Sequence, residues 1–278
     1  MTSRLQTEAM GAGYEGRAVL DGLDVEIPDG SFTVIVGPNA CGKSTLLRAL
    51  SRLLRPTEGS VLLDGKDVQR YGGKAFAQEL GLLPQQSIAP EGITVVDLVS
   101  RGRFPYQRIF RQWTDEDERA VRSALEATQL VELSTRPLET LSGGQRQRVW
   151  IAMALSQETP ILLLDEPTTY LDLAHQLEIL DLCAALNREG RTLVAVLHDI
   201  NQAARYANHL IAMRGGAVVA EGAPREVVTE ALVHAVFGVR ARVIDDPESG
   251  TPMVIPRASG AISPAELPGD TVTARSTS

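Results

Sequence analysis

Four runs of the chain are apolar without alternation. They are Ser31 to Val36, Ile161 to Leu164, Thr192 to Leu197 and His209 to Met213. Runs of this length, bounded by Gly, Pro and Asp, read as strands covered on both faces. Between them the apolar period lengthens to that of helices, so strand and helix alternate. That order predicts an α/β fold with a mainly parallel sheet flanked by helices. Other stretches alternate cleanly. Tyr14 to Ile27 reads as a strand, a turn near Asp21-Gly22 and a second strand with Leu23, Val25 and Ile27 on one face. Ser60 to Val68 reads as a hairpin turning at Asp64-Gly65, and Gly215-Gly216 turns into a strand over Ala217 to Glu221. The spacing predicts a helix from the 42–45 region to about Leu54, and Gly81 to Gln86 reads as a short strand entering a loop.

From about residue 86 to Pro137 the pattern becomes helical and charged, which predicts an inserted second lobe. Thr94 caps one helix running to Gly102, and Thr114 followed by four acids starts another, with negative charge where the helix dipole favours it. Between them lies the basic-aromatic loop Arg101 to Tyr106, open to two readings, a plain surface or a partner contact. Arg240 to Ile244 and Pro252 to Ile255 flank a turn and predict a terminal hairpin. From Pro256 onward large apolar residues are too few to pack, and a disordered tail is expected. The expected division is 1–85 for the first part of an α/β core, 86–148 for the helical lobe, 149–245 for the rest of the core and 246–278 for hairpin and tail.

Composition narrows the options. The chain has 278 residues, 44% of them hydrophobic, enough for a real core. Its formal charge is −8, so nucleic-acid binding is not favoured. Lys occurs only at positions 43, 66 and 74, which makes a Lys inside a glycine loop stand out. The two cysteines, Cys41 and Cys183, lack metal-like spacing and read as free thiols in a reducing compartment. The first ten residues have no apolar core, so no signal peptide is expected. No run approaches the roughly 20 apolar residues that span a bilayer, so a membrane role must come through a partner.

The chemistry starts at Gly37-Pro38-Asn39-Ala40-Cys41-Gly42-Lys43-Ser44-Thr45, a glycine loop between a strand and a helix. Gly37 and Gly42 let the backbone curl, and the freed N–H groups with the helix start form a cradle for phosphate. Lys43 reaches β- and γ-phosphates, and Ser44 offers a hydroxyl to Mg²⁺. The strand Ile161 to Leu164 ends in Asp165-Glu166. There Asp165 can hold Mg²⁺, and Glu166 can orient and deprotonate water, worth roughly 10²–10⁴-fold in rate. A surface acidic pair is the bland alternative, weakened by the phosphate loop. Leu141-Ser142-Gly143-Gly144-Gln145 opens a second helix with a second anion site. One small nucleotide has no obvious need of both.

Taken together, Tyr14, the 37–45 loop, Gln85, Leu141 to Gln145, Asp165-Glu166, Leu171-Asp172 and His198 resemble the nucleotide-binding subunits of ABC transporters, over roughly residues 10 to 240. The resemblance implies a P-loop NTPase with a RecA-like core, an N-terminal antiparallel β subdomain and an inserted helical subdomain. It implies MgATP bound between the phosphate loop of one copy and the Ser142–Gln145 motif of a second, in a head-to-tail homodimer. Tyr14 then corresponds to the aromatic stacked on adenine, though a core tyrosine at a strand start is an alternative. Gln85 corresponds to the loop glutamine near Mg²⁺, with Gln86 as the other register. Asp172 is similar to the acid that crosses to the opposite copy, and His198 to the histidine reaching the γ-phosphate. His175, His209 and His234 lack such context and read as structural or surface residues. Ala40 stands where relatives commonly have Gly, and its methyl is expected to fit with negative φ.

The segments 101–107, 140–152, 165–172 and 196–203 are similar to ATPases of bacterial ferric-siderophore importers, near those for haem and cobalamin. That implies permease subunits in the membrane, an indirect link to a substrate-binding protein and a peripheral place on the cytoplasmic face. A separate-subunit exporter ATPase and a nucleic-acid-linked ATPase are the alternatives from other classes. The latter is disfavoured by the acidic charge and by the lack of a heptad run.

Overall fold

The computed structural model describes residues 3–85, 88–107, 113–169 and 171–257. The chain opens with β1 (Leu5–Tyr14) and β2 (Arg17–Ile27), antiparallel partners. Their turn is Glu15-Gly16, with φ of +49° and +77°, the left-handed pair that a tight hairpin needs. The strand therefore begins before Tyr14, and Asp21-Gly22 is not the turn. It is an irregularity within β2, where the register jumps between Met10–Leu23 and Ala12–Leu20 and Gly22 takes φ +57°. The polar-looking start is held because β1 also pairs with a later strand.

β3 (Phe32–Val36) leads through the glycine loop into α1 (Lys43–Leu50). That helix stops short of Leu54, and Arg52 beyond it takes φ +63°. β4 (Glu58–Leu63) and β5 (Lys66–Asp67) turn at Asp64-Gly65 with φ +52° and +71°, as the sequence predicts. The first sheet is β2-β1-β4-β5. α2 (Gly73–Glu79) precedes β6 (Leu80–Leu83).

The inserted helices follow. In α3 (Val95–Ser100), Thr94 accepts from the Asp97 amide. In α4 (Asp115–Ala127), Thr114 and Asp117 form a reciprocal capping box. Ser142 and Gln145 do the same at α5 (Gly143–Ser156). The first of these helices ends before Gly102, and 101–106 is a 3₁₀ turn pressed onto α5. A Cβ on Gly102 would lie 2.1 Å from Ser156 Oγ, so only glycine fits.

Arg103 answers the open question about the basic-aromatic loop against both readings for that residue. It is 1% exposed. Its Nε donates to Asp117 Oδ1 at 2.9 Å, and one terminal nitrogen donates to Ser156 O at 2.9 Å and Glu158 Oε2 at 2.8 Å. Burial pushes the Asp117 carboxyl up, but the bonds from Arg103 and Thr114 outweigh it and hold it below its ordinary value. Tyr106 donates to Gln157 O, which leaves Phe104 as the exposed aromatic of the turn.

β7 (Ile161–Asp165), α6 (Leu173–Arg188), β8 (Thr192–Val196), α7 (Ile200–Tyr206), β9 (His209–Arg214) and β10 (Ala217–Gly222) complete the core. The large sheet runs β10-β9-β3-β8-β7-β6, parallel except for the β9–β10 hairpin. Period-2 alternation explains its two cores. Val34, Leu162, Leu164 and Ala195 pack with the inserted helices and α6. Ile35, Leu163, Val194 and Ile211 pack with α1 and the first sheet. Each strand is apolar on both faces because each face meets a core.

α8 (Pro224–Val227) and α9 (Glu230–Phe237) lead to β11 (Ala241–Asp245) and β12 (Pro252–Pro256), the predicted terminal hairpin. The tail expected after Pro256 lies, from residue 258, outside the described residues, as does Gln86. Cys41 and Cys183 are free and buried, and burial pushes the Cys183 thiol up to about 12. Among the described residues no helix is long and apolar enough to cross a membrane.

Candidate functional site

The phosphate loop starts where β3 leaves the middle of the sheet. Gly37 has φ +155° and Gly42 +105°. A Cβ on Gly37 would sit 2.2 Å from Met213 O, and one on Gly42 2.6 Å from a Leu20 methyl. Both glycines are thus demanded by fit as well as by conformation. Gly42 is the N-cap of α1 and gives no side-chain cap, so the helix start keeps N–H groups for an anion. Ala40 departs from the expectation. Its φ is +61°, not negative. A methyl in that region costs about 1–2 kcal/mol, which the loop carries because the turn geometry leaves no alternative.

Lys43 is buried, and its Nζ donates to Gly37 O at 2.9 Å and Pro38 O at 3.0 Å. The ammonium therefore lies inside the curl that would hold a phosphate. Ser44 Oγ donates to Asp165 Oδ1 at 3.0 Å, joining the loop to the end of β7. Burial pushes the Asp165 carboxyl above its ordinary value; Ser44 opposes this and neighbouring Glu166 adds to it. A cation between these oxygens would relieve the cost of charging Asp165.

Glu166 is the most tightly held group. Gln85 Nε2 donates to its Oε2 at 2.7 Å, and Thr169 Oγ1 to the same oxygen at 3.1 Å. His198 Nε2 stands 2.8 Å from its Oε1. Burial alone would push the carboxyl up, but His198, Thr169 and Gln85 together hold it below its ordinary value. Its φ is +54°, a conformation that surrounding structure must enforce. A cavity of about 570 Å³ is lined by residues 39–45, Gln85, Glu166, Thr169 and His198. Sequence-predicted Lys43, Ser44, Gln85, Glu166 and His198 thus face one space, with Asp165 at its edge.

Tyr14 is 42% exposed and lines the recess next door with Arg17, Val19, Ala40 and Gly216. It offers a ring face beside the loop, not a core contact. Ser142, Gly143, Gly144 and Gln145 do not line the phosphate cavity. Ser142 Oγ accepts from the Gln145 amide at 3.2 Å, and Gln145 Oε1 from the Ser142 amide at 3.0 Å. Asp172 is likewise outside it. Asp172 caps α6 by accepting from the His175 amide at 2.9 Å, and it faces His175 Nδ1 at 2.6 Å. Its carboxyl is held below the ordinary value first by that backbone bond.

Several residues here carry no sequence signal of their own. Thr169 supports Glu166 from within a Thr-Thr pair that reads as loop. His175, read as structural or surface, lies between two sequence-predicted sites, against Asp172 and with its ring where a Cβ on Gly144 would come within 3.1 Å. His209 is half-buried, with burial holding its imidazole below the ordinary value. Its Nδ1 stands 3.4 Å from Thr33 Oγ1, which fits the structural reading.

Comparison with known proteins adds independent findings. The family described as "ABC transporter" matches residues 20–169. The ferric enterobactin transport ATP-binding protein FepC of Escherichia coli (strain K12) is 56% identical over 255 residues, covering 91% of this chain and 94% of that protein. The iron(3+)-hydroxamate import ATP-binding protein FhuC of Bacillus subtilis (strain 168) is 50% identical over 252 residues, covering 90% and 94%. A dimeric structure of an ATP-binding cassette in a post-hydrolysis state, bound to ADP and Pi, superposes with a TM-score of 0.69 at 29% identity, covering 79% of this chain and 98% of that one.

Proposed function

The chain belongs to the ABC transporter family, and on that premise we propose that it is the ATP-hydrolysing subunit of an importer for ferric-siderophore complexes. The observation that carries the ATPase reading is the meeting of Lys43, Ser44, Glu166, Gln85 and His198 at one cavity, with Ser142–Gln145 outside it. ATP would lie along the loop with its base on Tyr14 and its phosphates over the α1 start. Lys43 would exchange the Gly37 and Pro38 carbonyls for phosphate oxygens. The paired hard oxygens of Ser44 and Asp165 fit Mg²⁺, which when bound supplies charge neutralisation at the phosphates. Glu166, kept ionised by its partners, takes a proton from the attacking water, and His198 and Gln85 hold that carboxylate in line. Ser142 of a second copy would complete the γ-phosphate site through its helix start.

Permease subunits would dock in the groove of about 690 Å³ beside Gln85, lined by Ile88, Pro90, Leu138, Trp150 and Leu171. Ile88 is 95% exposed there, an apolar side chain awaiting cover. The groove also borders Gln85 and Gly143, so a docked segment would touch both halves of the ATPase cycle. Docked in this way, the chain would sit on the cytoplasmic face of the membrane. The siderophore cargo follows the relatives named for ferric enterobactin and ferric hydroxamate. The test is uptake of labelled ferric siderophore by cells lacking this gene, with and without its return. Restored uptake of ferric siderophore, with haem and cobalamin uptake unchanged, is expected. Intact siderophore uptake without the gene contradicts the cargo.

A further inference from the structure

The loop between Glu166 and Asp172 carries the proposed base and the proposed cross-dimer acid, yet no strand pairs with its described residues. Its own backbone bonds are long, Thr169 N to Glu166 O at 3.2 Å and Leu171 N to Thr168 O at 3.4 Å. Side-chain amides hold three of its carbonyls. Gln147 Nε2 donates to Pro167 O at 3.1 Å. Gln176 Nε2 donates to Thr168 O at 3.3 Å and to Leu171 O at 3.0 Å. Gln176 Oε1 accepts from Gln202 Nε2 at 2.7 Å. Both donors and the acceptor of the Gln176 amide are thus engaged.

The placement of these residues is what gives them meaning. Gln147 is in the first turns of α5, the helix that Ser142 opens. Gln176 is in the first turn of α6, beside His175 and its contact with Asp172. Gln202 is in the first turn of α7, which starts two residues after His198. The α7 helix is itself fastened to the terminal hairpin. Asn201 exchanges two bonds with the Val254 backbone, at 3.1 and 2.7 Å, and Arg205 pairs with Asp246. The helices do not need the glutamines to fold, because α6 and α7 bury Ile179, Leu180, Ala203 and Ala204 in the core.

We infer that Gln147, Gln176 and Gln202 are positioning residues that hold the left-handed Glu166 in working geometry. Through them the Ser142 helix and the His198 helix grip the same loop. A shift of either helix on closure of the dimer therefore reaches the carboxylate directly. The inference rests on the reading of Glu166 as the base. Because amides carry no charge, the support is independent of pH in the native chain.

The test compares Gln176→Ala and Gln176→Glu with wild type, measuring MgATP turnover, nucleotide affinity, melting temperature and the pH profile of kcat. Glu keeps the shape but turns two donors into acceptors facing two carbonyls. At neutral pH both variants are expected to lose about tenfold in kcat, since small misplacement of a reacting group is costly. Affinity and melting temperature are expected to stay at wild-type values. As pH falls from about 8 towards about 5.5, nearer the ordinary carboxyl range, the Glu variant's kcat relative to wild type is expected to rise. Protonation restores a donor, and the Ala variant's ratio stays flat. Unchanged kcat in both variants overturns the inference. So does a parallel fall of kcat, affinity and melting temperature, which is a structural role. A wild-type chain that does not hydrolyse ATP at any concentration overturns the ATPase reading itself, and the inference with it.

Discussion

The two helix starts proposed to bind anions are built differently. At the first, Gly42 offers no capping side chain, Lys43 is buried, and Ser44, Asp165 and Glu166 close around a cavity. At the second, Ser142 and Gln145 cap each other, and neither lines the phosphate cavity. A helix start that satisfies itself with its own cap is stable in water and gains a phosphate only when one is brought to it. On the proposed function, the contrast makes the first start the receptor for a nucleotide and the second a lid over the nucleotide of another copy.

The largest expected effect comes from removing the base. Glu166→Gln should cut kcat by roughly 10²–10⁴-fold while ATP still binds, and closed dimer should accumulate on a sizing column. Turnover near wild type would remove Glu166 from its role. Next, Arg103→Ala leaves Asp117 buried without its cation. Breaking such a pair costs about 3–5 kcal/mol, read as a lowered midpoint in chemical unfolding. The damage should start on the α4–α5 side, where Arg103 joins Asp117 to the end of α5.

A third pair of variants sharpens the contrast itself. Lys43→Ala should weaken ATP binding by the isolated subunit by about 10–100-fold, the worth of a charged hydrogen bond or two. Ser142→Asp keeps a good helix cap but sets a negative charge where the partner's phosphate should lie. Binding by the isolated subunit should be untouched and turnover should fall by at least about tenfold. The reverse pattern, measured by nucleotide titration and phosphate release, would exchange the two roles. The smallest effect is at Ala40. With φ at +61°, Ala40→Gly relieves strain but loosens the unfolded chain, a net gain of at most about 1 kcal/mol. A loss of stability would show that the methyl makes a contact worth more than its strain.

Much of this was legible in residue order, and the exceptions have reasons. Unalternating apolar runs gave β3, β7, β8 and β9, because a strand buried on both faces has no polar side to show. Thr94, Thr114 and Ser142 marked their helices, because caps are local chemistry. β1 was missed because Gln6, Thr7 and Glu8 look like a polar terminus, and what makes them a strand is pairing with β4 some fifty residues later. Ala40 was misjudged because a loop's φ is set by where both its ends are anchored, which no single residue records. Neither reading of the 101–106 loop, surface or partner contact, anticipates a buried Arg103, because a buried cation needs Asp117 and Glu158 from other elements. Candidate site residues with motif spacing can be named from residue order, whereas Thr169, His175, Gln147 and Gln176 cannot, since each enters through a contact rather than through a pattern.

The account's central claim is that the phosphate loop is half a site and that the Ser142 helix of a second copy is the other half. Its most direct test is the dependence of specific ATPase activity on chain concentration, measured beside the affinity for nucleotide. Activity per chain should rise with concentration and level off as dimer forms, with apparent nucleotide affinity rising alongside because the second copy adds contacts to the same phosphates. Activity per chain that holds steady down to concentrations where sizing shows only monomer would contradict it.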